Sequence, residues 1–262
     1  MKLKDTEMRS PVYSRNQGAQ ADPPSPERLR RPRSRIGDFY RGTVIGNRET
    51  ASLNSETNSY TANQLNQYSD VNGTNLSFDA DGNLLSDGTW TYSWNGENRL
   101  ISATNASTVV SFKYDYMGRR FSKTVDSAET MFVYDGWNLI QATSASVTNH
   151  YAWGLDLSQS LQGAGGVGGL LCLTENGNEY YPSFDANGNI TAYTDDTGTN
   201  VVARYEYSPF GKIIASIGAK KDDFMFRFST KYYDTETGLY YYGFRYYSSE
   251  LGRWLNRDPL QE

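Results

Sequence analysis

The sequence contains one cysteine, Cys172, and one histidine, His150. A lone thiol excludes an internal disulfide, and one Cys with one His cannot make a zinc-finger set. No apolar run reaches the roughly 18 residues that a membrane-spanning helix needs. The first residues alternate in charge (Lys2, Lys4, Asp5, Glu7) where a secretory leader would carry a short apolar segment, so no signal peptide is expected in this chain. Strongly apolar residues are also scarce: Leu, Ile, Val and Phe together number 49 of 262, a level at which an ordinary oily core is hard to build.

What the chain has instead is 21 Tyr, 5 Trp and 24 Gly. Tyrosine and tryptophan bury large rings while their polar ends find partners, and they favour strands, whereas Gly, Asn and Asp favour turns. A helical bundle is therefore disfavoured and an all-β fold expected. Period-two alternation supports this. Trp90, Tyr92 and Trp94 fall on one face of a strand, as do Val110, Phe112, Tyr114 and Tyr116, then Val201, Ala203, Tyr205 and Tyr207, then Phe224, Phe226 and Phe228. Between such segments stand turn dipeptides, among them Asn72-Gly73, Asp81-Gly82, Asp135-Gly136, Asn176-Gly177 and Asn187-Gly188.

Charge divides the chain. Residues 1–37 hold nine Lys or Arg against four Asp or Glu, so they carry +5 while the remainder carries −10. The stretch DPPSPERLRRPRSR mixes prolines with like charges and can neither continue a helix nor join a sheet easily. Its arginines could meet nucleic acid or an acidic membrane, but without interleaved aromatics a solvated tail is the better reading, and no nucleic-acid partner is expected. Residues 1–55 are read as a disordered basic tail and linker, with a short helix possible around TANQLNQ just beyond, and 56–220 as a region of successive antiparallel hairpins.

The hairpin region repeats itself. FDADGNL from Phe78, WNGENRL from Trp94, YDYMGRR from Tyr114, YDGWNLI from Tyr134, FDANGNI from Phe184 and YSPFGKI from Tyr207 each place an aromatic first and Gly or Asn four positions later. The aromatic ends one strand, the following polar residue caps the turn, and Gly82, Asn98, Gly118, Asn138, Gly188 and Gly211 are expected to take the left-handed conformation that reverses the chain. The long gap between Tyr134 and Phe184 implies a degenerate unit near YAWGLDLS. Unequal spacing suits a rolled or spiralling sheet better than a solenoid of fixed pitch.

These units resemble the YD repeats of the Rhs family, and residues 221–262 resemble the Rhs repeat-associated core domain, truncated at its C-terminal end. The motif residues run in one order: Tyr233, Asp234, Gly238, Arg245, Tyr246, Tyr247, Gly252, Arg253, Trp254, Asp258 and Pro259. The resemblance covers about residues 60–262. It implies a hollow β-shell of the kind that encloses or displays a C-terminal toxin or surface effector, with the rest of such a shell, or the toxin itself, as partner and a secreted or cell-surface location. It also makes Asp258, with Arg257 beside it, the best candidate for an aspartyl-type self-cleaving pair. The sequence stops four residues after Asp258 and has Ser248 where relatives often have Asp, so a non-catalytic structural role is expected and self-cleavage ranks as the second alternative.

The first alternative is a carbohydrate- or cell-surface-binding module, for which LYYYGFRYY could supply stacked rings, with Tyr240, Tyr242, Phe244 and Tyr246 alternating against Leu239, Tyr241 and Arg245. Other apparent sites have simpler explanations. Gly163, Gly165 and Gly168 fit G-x-G-x-x-G, and Asp185 lies about where a ribose-binding acid would, but the apolar strand and helix that a dinucleotide site needs are missing. His150 reads as a strand-end imidazole, Cys172 as a small buried thiol, and Asp195 and Asp196 as turn residues rather than calcium ligands. The sequons at Asn72, Asn75, Asn105 and Asn189 matter only in a host that glycosylates secreted proteins. No metal or cofactor is expected.

Overall fold

The computed structural model describes residues 39–43, 46–53 and 56–258. Most of the expected tail, residues 1–38, and the motif residue Pro259 lie outside these. The chain divides into two compact units, residues 1–58 and 59–262. In the first, β1 (Phe39–Gly42) pairs antiparallel with β2 (Arg48–Leu53), Tyr40 opposite Ala51, so a hairpin stands where a linker was expected.

β3 (Glu56–Ala62) runs into the second unit, where it pairs with β4 (Tyr68–Val71), and β4 with β5 (Thr74–Asn75). The stretch TANQLNQ, where a short helix was possible, forms a turn instead. Asn63 Oδ1 accepts from the Leu65 and Gln67 amides at 2.9 and 3.0 Å, and Asn66 takes a φ of 62°. Asparagine offers its own backbone a local alternative to helix, and here that alternative wins.

A meander of 14 strands follows. It opens with β6 (Ser77–Phe78), β7 (Leu84–Ser86), β8 (Thr91–Trp94), β9 (Leu100–Thr104) and β10 (Val109–Tyr114). It continues through β11 (Arg120–Val125), β12 (Ala128–Asp135), β13 (Asn138–Thr143), β14 (Thr148–Trp153) and β15 (Leu170–Glu175). It ends with β16 (Asn178–Phe184), β17 (Ile190–Asp195), β18 (Val201–Tyr207) and β19 (Ile213–Ile217), each strand antiparallel to the next. One face is buried. Across it, rings sit opposite alanines: Tyr92 faces Ala103, Phe132 faces Ala142 and Tyr193 faces Ala203, all buried. The small partner makes room for the ring, so aromatics fill a core that aliphatics alone could not. Val201, at the mouth of its hairpin, and Tyr116, in a turn, are exposed and leave the stripes that alternation gave them.

The repeat turns share one construction. In the unit from Tyr114, the Asp115 amide donates to the Arg119 carbonyl at 2.9 Å, the Gly118 amide donates to the Asp115 carbonyl at 2.9 Å, and Asp115 Oδ1 accepts from the Met117 and Arg119 amides. Asn95, Asp185 and Asn63 do the same. The left-handed position is held by Gly82, Asn98, Gly118, Gly188 and Gly211, with φ between 57° and 86°. In the unit from Tyr134 the positive φ falls on Gly136, and Asn138 instead begins β13 as a buried residue whose amide donates to the Leu161 carbonyl. Asp156 builds a further turn of this kind, with Gln159 at 62°, at the place where a degenerate unit was expected.

Each such turn is followed by a register slip, and the slip explains the aromatic. The β9–β10 ladder ends at Ser102 opposite Ser111, which leaves the Leu100 carbonyl beyond it. The Tyr114 hydroxyl donates to that carbonyl at 2.6 Å. The pattern recurs: Trp94 Nε1 to Leu84 O at 2.8 Å, Tyr134 Oη to Arg120 O at 2.9 Å, Trp153 Nε1 to Leu139 O at 2.7 Å and Tyr207 Oη to Ile190 O at 2.7 Å. A half-apolar ring with a donor at its tip satisfies both the core and the stranded backbone.

Gly218 ends the meander with φ 109°, its Cα so near the neighbouring strand that a Cβ would lie 2.2 Å from Val202 O. The chain then crosses the buried face. Phe224, Phe226 and Phe228 point into it, but not from a strand: the segment is irregular, with one bridge between Phe226 and Tyr232. Phe224 packs on Tyr193 with ring centres 4.2 Å apart, Phe226 on Tyr151 at 5.0 Å and Phe228 on Tyr207 at 5.7 Å. The aromatic period is the same in a crossing bar as in a strand, and this is why alternation misread it.

A four-stranded antiparallel sheet completes the unit: β20 (Tyr232–Asp234), β21 (Leu239–Tyr241), β22 (Tyr246–Ser248) and β23 (Arg253–Trp254). It bridges the meander from end to end. Tyr240 Oη donates to Gly211 O at 3.1 Å near β19, and the Leu84 amide in β7 donates to Leu255 O at 2.8 Å.

The recurring tip-to-carbonyl bond predicts that Tyr207→Phe lowers stability by about 1–3 kcal/mol, because the Ile190 carbonyl loses its donor in a largely buried place. Tyr116→Phe, on an exposed turn, should stay within about 0.5 kcal/mol of the parent. Urea unfolding of both variants checks the contrast.

Candidate functional site

The centre of the contact between the two sheets is a charge cluster. In the other repeats the sixth residue after the aromatic is Leu or Ile, buried at Leu84, Leu100 and Ile190, half-buried at Ile213 and exposed at Ile140. After Tyr114 it is Arg120, only 1% exposed. The slip after the turn sets its direction. Tyr114 is opposite Arg120 but Lys113 is opposite Ser122, so Phe121 is the extra residue of a bulge. Arg120 and Lys123, three apart, thereby reach the same buried face, which simple alternation forbids.

Both meet the core-domain sheet. Arg120 Nη1 donates to Asp234 Oδ2 at 2.5 Å, and Lys123 Nζ bridges Asp234 Oδ1 and Glu236 Oε2, each at 3.0 Å. Rings line the rest: the guanidinium carbon lies 4.5 Å from the centre of the Tyr241 ring, 4.9 Å from Phe132, 5.2 Å from Tyr232 and 5.4 Å from Phe112. The Tyr241 hydroxyl accepts from the Arg120 amide at 2.8 Å. Arg120 Nε faces this cage without a hydrogen-bond partner. Burial alone would raise the pKa of Asp234, yet Arg120 and then Lys123 outweigh it and hold the carboxyl below its ordinary range. Burial likewise opposes the charge on Arg120, and Asp234 more than restores it. With a cation on each oxygen, Asp234 is an anchor rather than an acid or base.

The other motif residues extend the same contact. Tyr233 packs at a tilt against Tyr240, ring centres 4.7 Å apart, and lies under the Arg227 guanidinium at 4.9 Å. Gly238, at φ 71°, closes the turn after Asp234. Tyr246 lies 5.3 Å from Phe112, and Tyr247 Oη donates to Phe210 O at 3.0 Å. Gly252, at φ 64°, turns the chain into β23, where Arg253 covers the Tyr68 ring at 4.0 Å and Trp254 meets Tyr242 at 4.8 Å. Asp258 is ion-paired with Arg245 at 2.8 Å, and the guanidinium of Arg245 covers Trp254 at 4.2 Å. Arg257 lies over Gly82 instead, where a Cβ would come within 2.7 Å of its Nε. The orienting cation of Asp258 is thus Arg245 in place of its sequence neighbour.

The tyrosine-rich segment is not one strand. It reverses at Gly243, where the Tyr242 amide donates to Arg245 O at 2.9 Å, and Tyr240, Tyr241 and Tyr246 are buried between the sheets. Of the rings proposed as a sugar platform, Phe244 is the one that is largely exposed. The glycine-rich loop folds around an acid of its own: Asp156 accepts from Ser158 and from the Ala164 and Gly166 amides, so the amides that would cradle a phosphate are occupied. Burial raises Asp156, and those hydrogen bonds pull it down to about 2. Asp185 serves its repeat turn, His150 is exposed in β14, and Cys172 is half-buried with its thiol pushed up by burial.

Sequence reasoning missed Arg120, Lys123, Glu236 and Asp156. A signal existed for the first: YDYMGRR puts arginine where its sister units put leucine or isoleucine.

The teneurin YD-shell family model matches residues 45–261. Among curated relatives, the tRNA3(Ser)-specific nuclease WapA of Bacillus spizizenii is 36% identical over 239 residues, covering 83% of this chain and 10% of the relative. The double-stranded DNA deaminase toxin A of Burkholderia cenocepacia is 27% identical over 194 residues, covering 64% of this chain and 14% of the toxin. The chain thus spans about a tenth of the length of the nuclease relative it matches. Among solved structures, TcdB2-TccC3-Cdc42 aligns with a TM-score of 0.52 at 16% identity, over 84% of this chain and 16% of that one. This last likeness shows the fold alone.

The buried cluster predicts an asymmetry. Asp234→Ala leaves two cations without their shared partner and should cost about 3–5 kcal/mol, while Arg120→Met combined with Asp234→Ala should cost less than the two single changes added together. Acid should act through the same group. Because the folded pKa of Asp234 lies below its unfolded value of about 3.9, the stabilisation is complete above that pH and is lost as pH falls through the folded value. Urea midpoints of the parent should therefore drop on acidification below about pH 4, and those of the double variant should drop less.

Proposed function

The chain belongs to the teneurin YD-shell family of Rhs/YD-repeat proteins, and from that premise we propose that it is a non-catalytic wall-and-clasp segment of a β-shell that encloses or displays a toxin or surface effector. The observation that carries this reading is the bridge between sheets. The motif residues of the core-domain sheet are spent on packing against the meander, through Arg120–Asp234 at its middle and through Gly211 and Leu84 at its ends. Residues committed in this way hold a wall in register, which supports a structural reading of the motif. The named activities of the relatives, a tRNA nuclease and a DNA deaminase, belong to proteins about ten and seven times the length this chain matches, and fit an effector carried by the shell rather than the shell itself. A secreted or surface location follows from the same reading.

Two measurements test it. After prolonged incubation the purified chain should show its intact mass alone; a pair of fragments summing to that mass would establish self-cleavage and overturn the non-catalytic part. A YD-shell protein whose matching segment is replaced by this chain should still shield its effector from added protease. Digestion at the rate of an unenclosed control would overturn the enclosing role.

A further inference from the structure

A second feature, apart from the charge cluster, is a cavity of about 320 Å³ beside the crossing segment. Its walls are rings: Trp137, Trp153, Tyr134, Tyr232, Tyr242 and Phe244. Their polar atoms are largely committed elsewhere. Trp153 Nε1 and the Tyr134 hydroxyl hold the backbone carbonyls of Leu139 and Arg120, and Gln162, also in the wall, has both ends of its amide bound to the turn at Asp135–Trp137. Trp137 and Phe244 form the mouth, ring centres 4.3 Å apart, and Phe244 is 57% exposed. One charged side chain enters this apolar space, Lys231. Its ammonium lies 5.4 Å from the centre of the Tyr242 ring and donates to the Gly165 carbonyl, and among the described residues no carboxylate forms an ion pair with it.

We propose that this cavity is a binding site for a small aromatic carboxylate, its ring held between Trp137 and Trp153 and its carboxylate paired with Lys231. The size fits. Ligand pockets run from about 300 to 1,000 Å³, and this one, at the lower limit, holds one ring with a short acid arm but no dinucleotide or oligosaccharide. Charge selects among ring-bearing ligands. Aromatic boxes ordinarily attract cations through the ring faces, but an ammonium already fixed in the wall repels a second one and leaves an anion as the complementary guest. Burial depresses the Lys231 pKa to about 8, with Asp156 opposing, the mark of an ammonium short of counter-charge. A paired anion would relieve that cost. The free acid and the C-terminal aromatic residue of a peptide share this chemistry.

The test uses the full chain and three probes of one shape: 3-phenylpropionate, its neutral amide, and the corresponding amine. Indole N–H resonances of Trp137 and Trp153 report occupancy by NMR, and calorimetry reports affinity. The carboxylate should shift both resonances and bind at least about tenfold more tightly than the amide, with no binding by the amine. Lys231→Met should abolish the preference for carboxylate over amide, and Lys231→Arg should retain it. A short peptide ending in phenylalanine, free or C-terminally amidated, separates the two sources of the ligand. The proposal is overturned if the parent shows no indole shift up to about 10 mM carboxylate, or if all three probes bind alike. Since both of these are read on the unaltered chain, a misfolded variant cannot obscure the result.

Discussion

The structure depends on the unsatisfied carbonyl that each repeat turn creates. A left-handed residue four positions after the aromatic reverses the chain economically, but the reversal shifts the register by one residue, and the strand that follows splays from the next one. The carbonyl just after the turn is then beyond the ladder, in a place largely closed to water, where leaving it bare costs about 1–3 kcal/mol. In five units the aromatic of the following unit repairs this with its own tip; Phe184, which follows the Asp156 turn, has no donor there. Tyr114, Tyr134 and Tyr207 do so with hydroxyls and Trp94 and Trp153 with indole nitrogens. Neighbouring units therefore depend on each other in sequence, and the spacing of aromatics along the chain is the spacing of these repairs.

This dependence accounts for what could be read from the sequence. The all-β class, the succession of hairpins and the repeat itself were legible because each unit writes its turn in the primary structure: an aromatic, an Asx-type cap, and a residue tolerant of positive φ. Family resemblance located the core-domain motif. Illegible were contacts that no local pattern encodes. Ala62-Asn63-Gln64-Leu65-Asn66 forms the same turn without its aromatic, and its asparagines sit in a stretch whose composition also suits a helix. Phe224, Phe226 and Phe228 keep a strand's period while crossing the sheet face irregularly. Asp258 pairs with Arg245, thirteen residues away, because the β22–β23 hairpin folds the chain back between them.

The charge cluster was hidden for a different reason. Alternation sends residues three apart to opposite faces, and only the bulge at Phe121 brings Arg120 and Lys123 together. The same bulge occurs in sister units, where it delivers Leu84, Leu100 and Ile190 to the core, so nothing in the machinery that buries Arg120 is particular to charge. It is the repeat's ordinary geometry with one residue exchanged.

Why a guanidinium should replace an aliphatic side chain there is a question of register more than of stability. A buried ion pair gains little over well-packed apolar groups once desolvation is counted, and such pairs can be replaced without loss. What an apolar contact lacks is direction. The four-stranded sheet presents tyrosines on β20, β21 and β22, and a tyrosine-rich surface could slide against rings on the meander with small change in buried area. Asp234 cannot slide: displaced by one residue, it would leave Arg120 and its own carboxylate buried without each other, at a cost of several kcal/mol. A single charged position thus converts a permissive aromatic interface into one with a single alignment, and that alignment is what lets Tyr240 reach Gly211 at one end while Leu255 reaches Leu84 at the other.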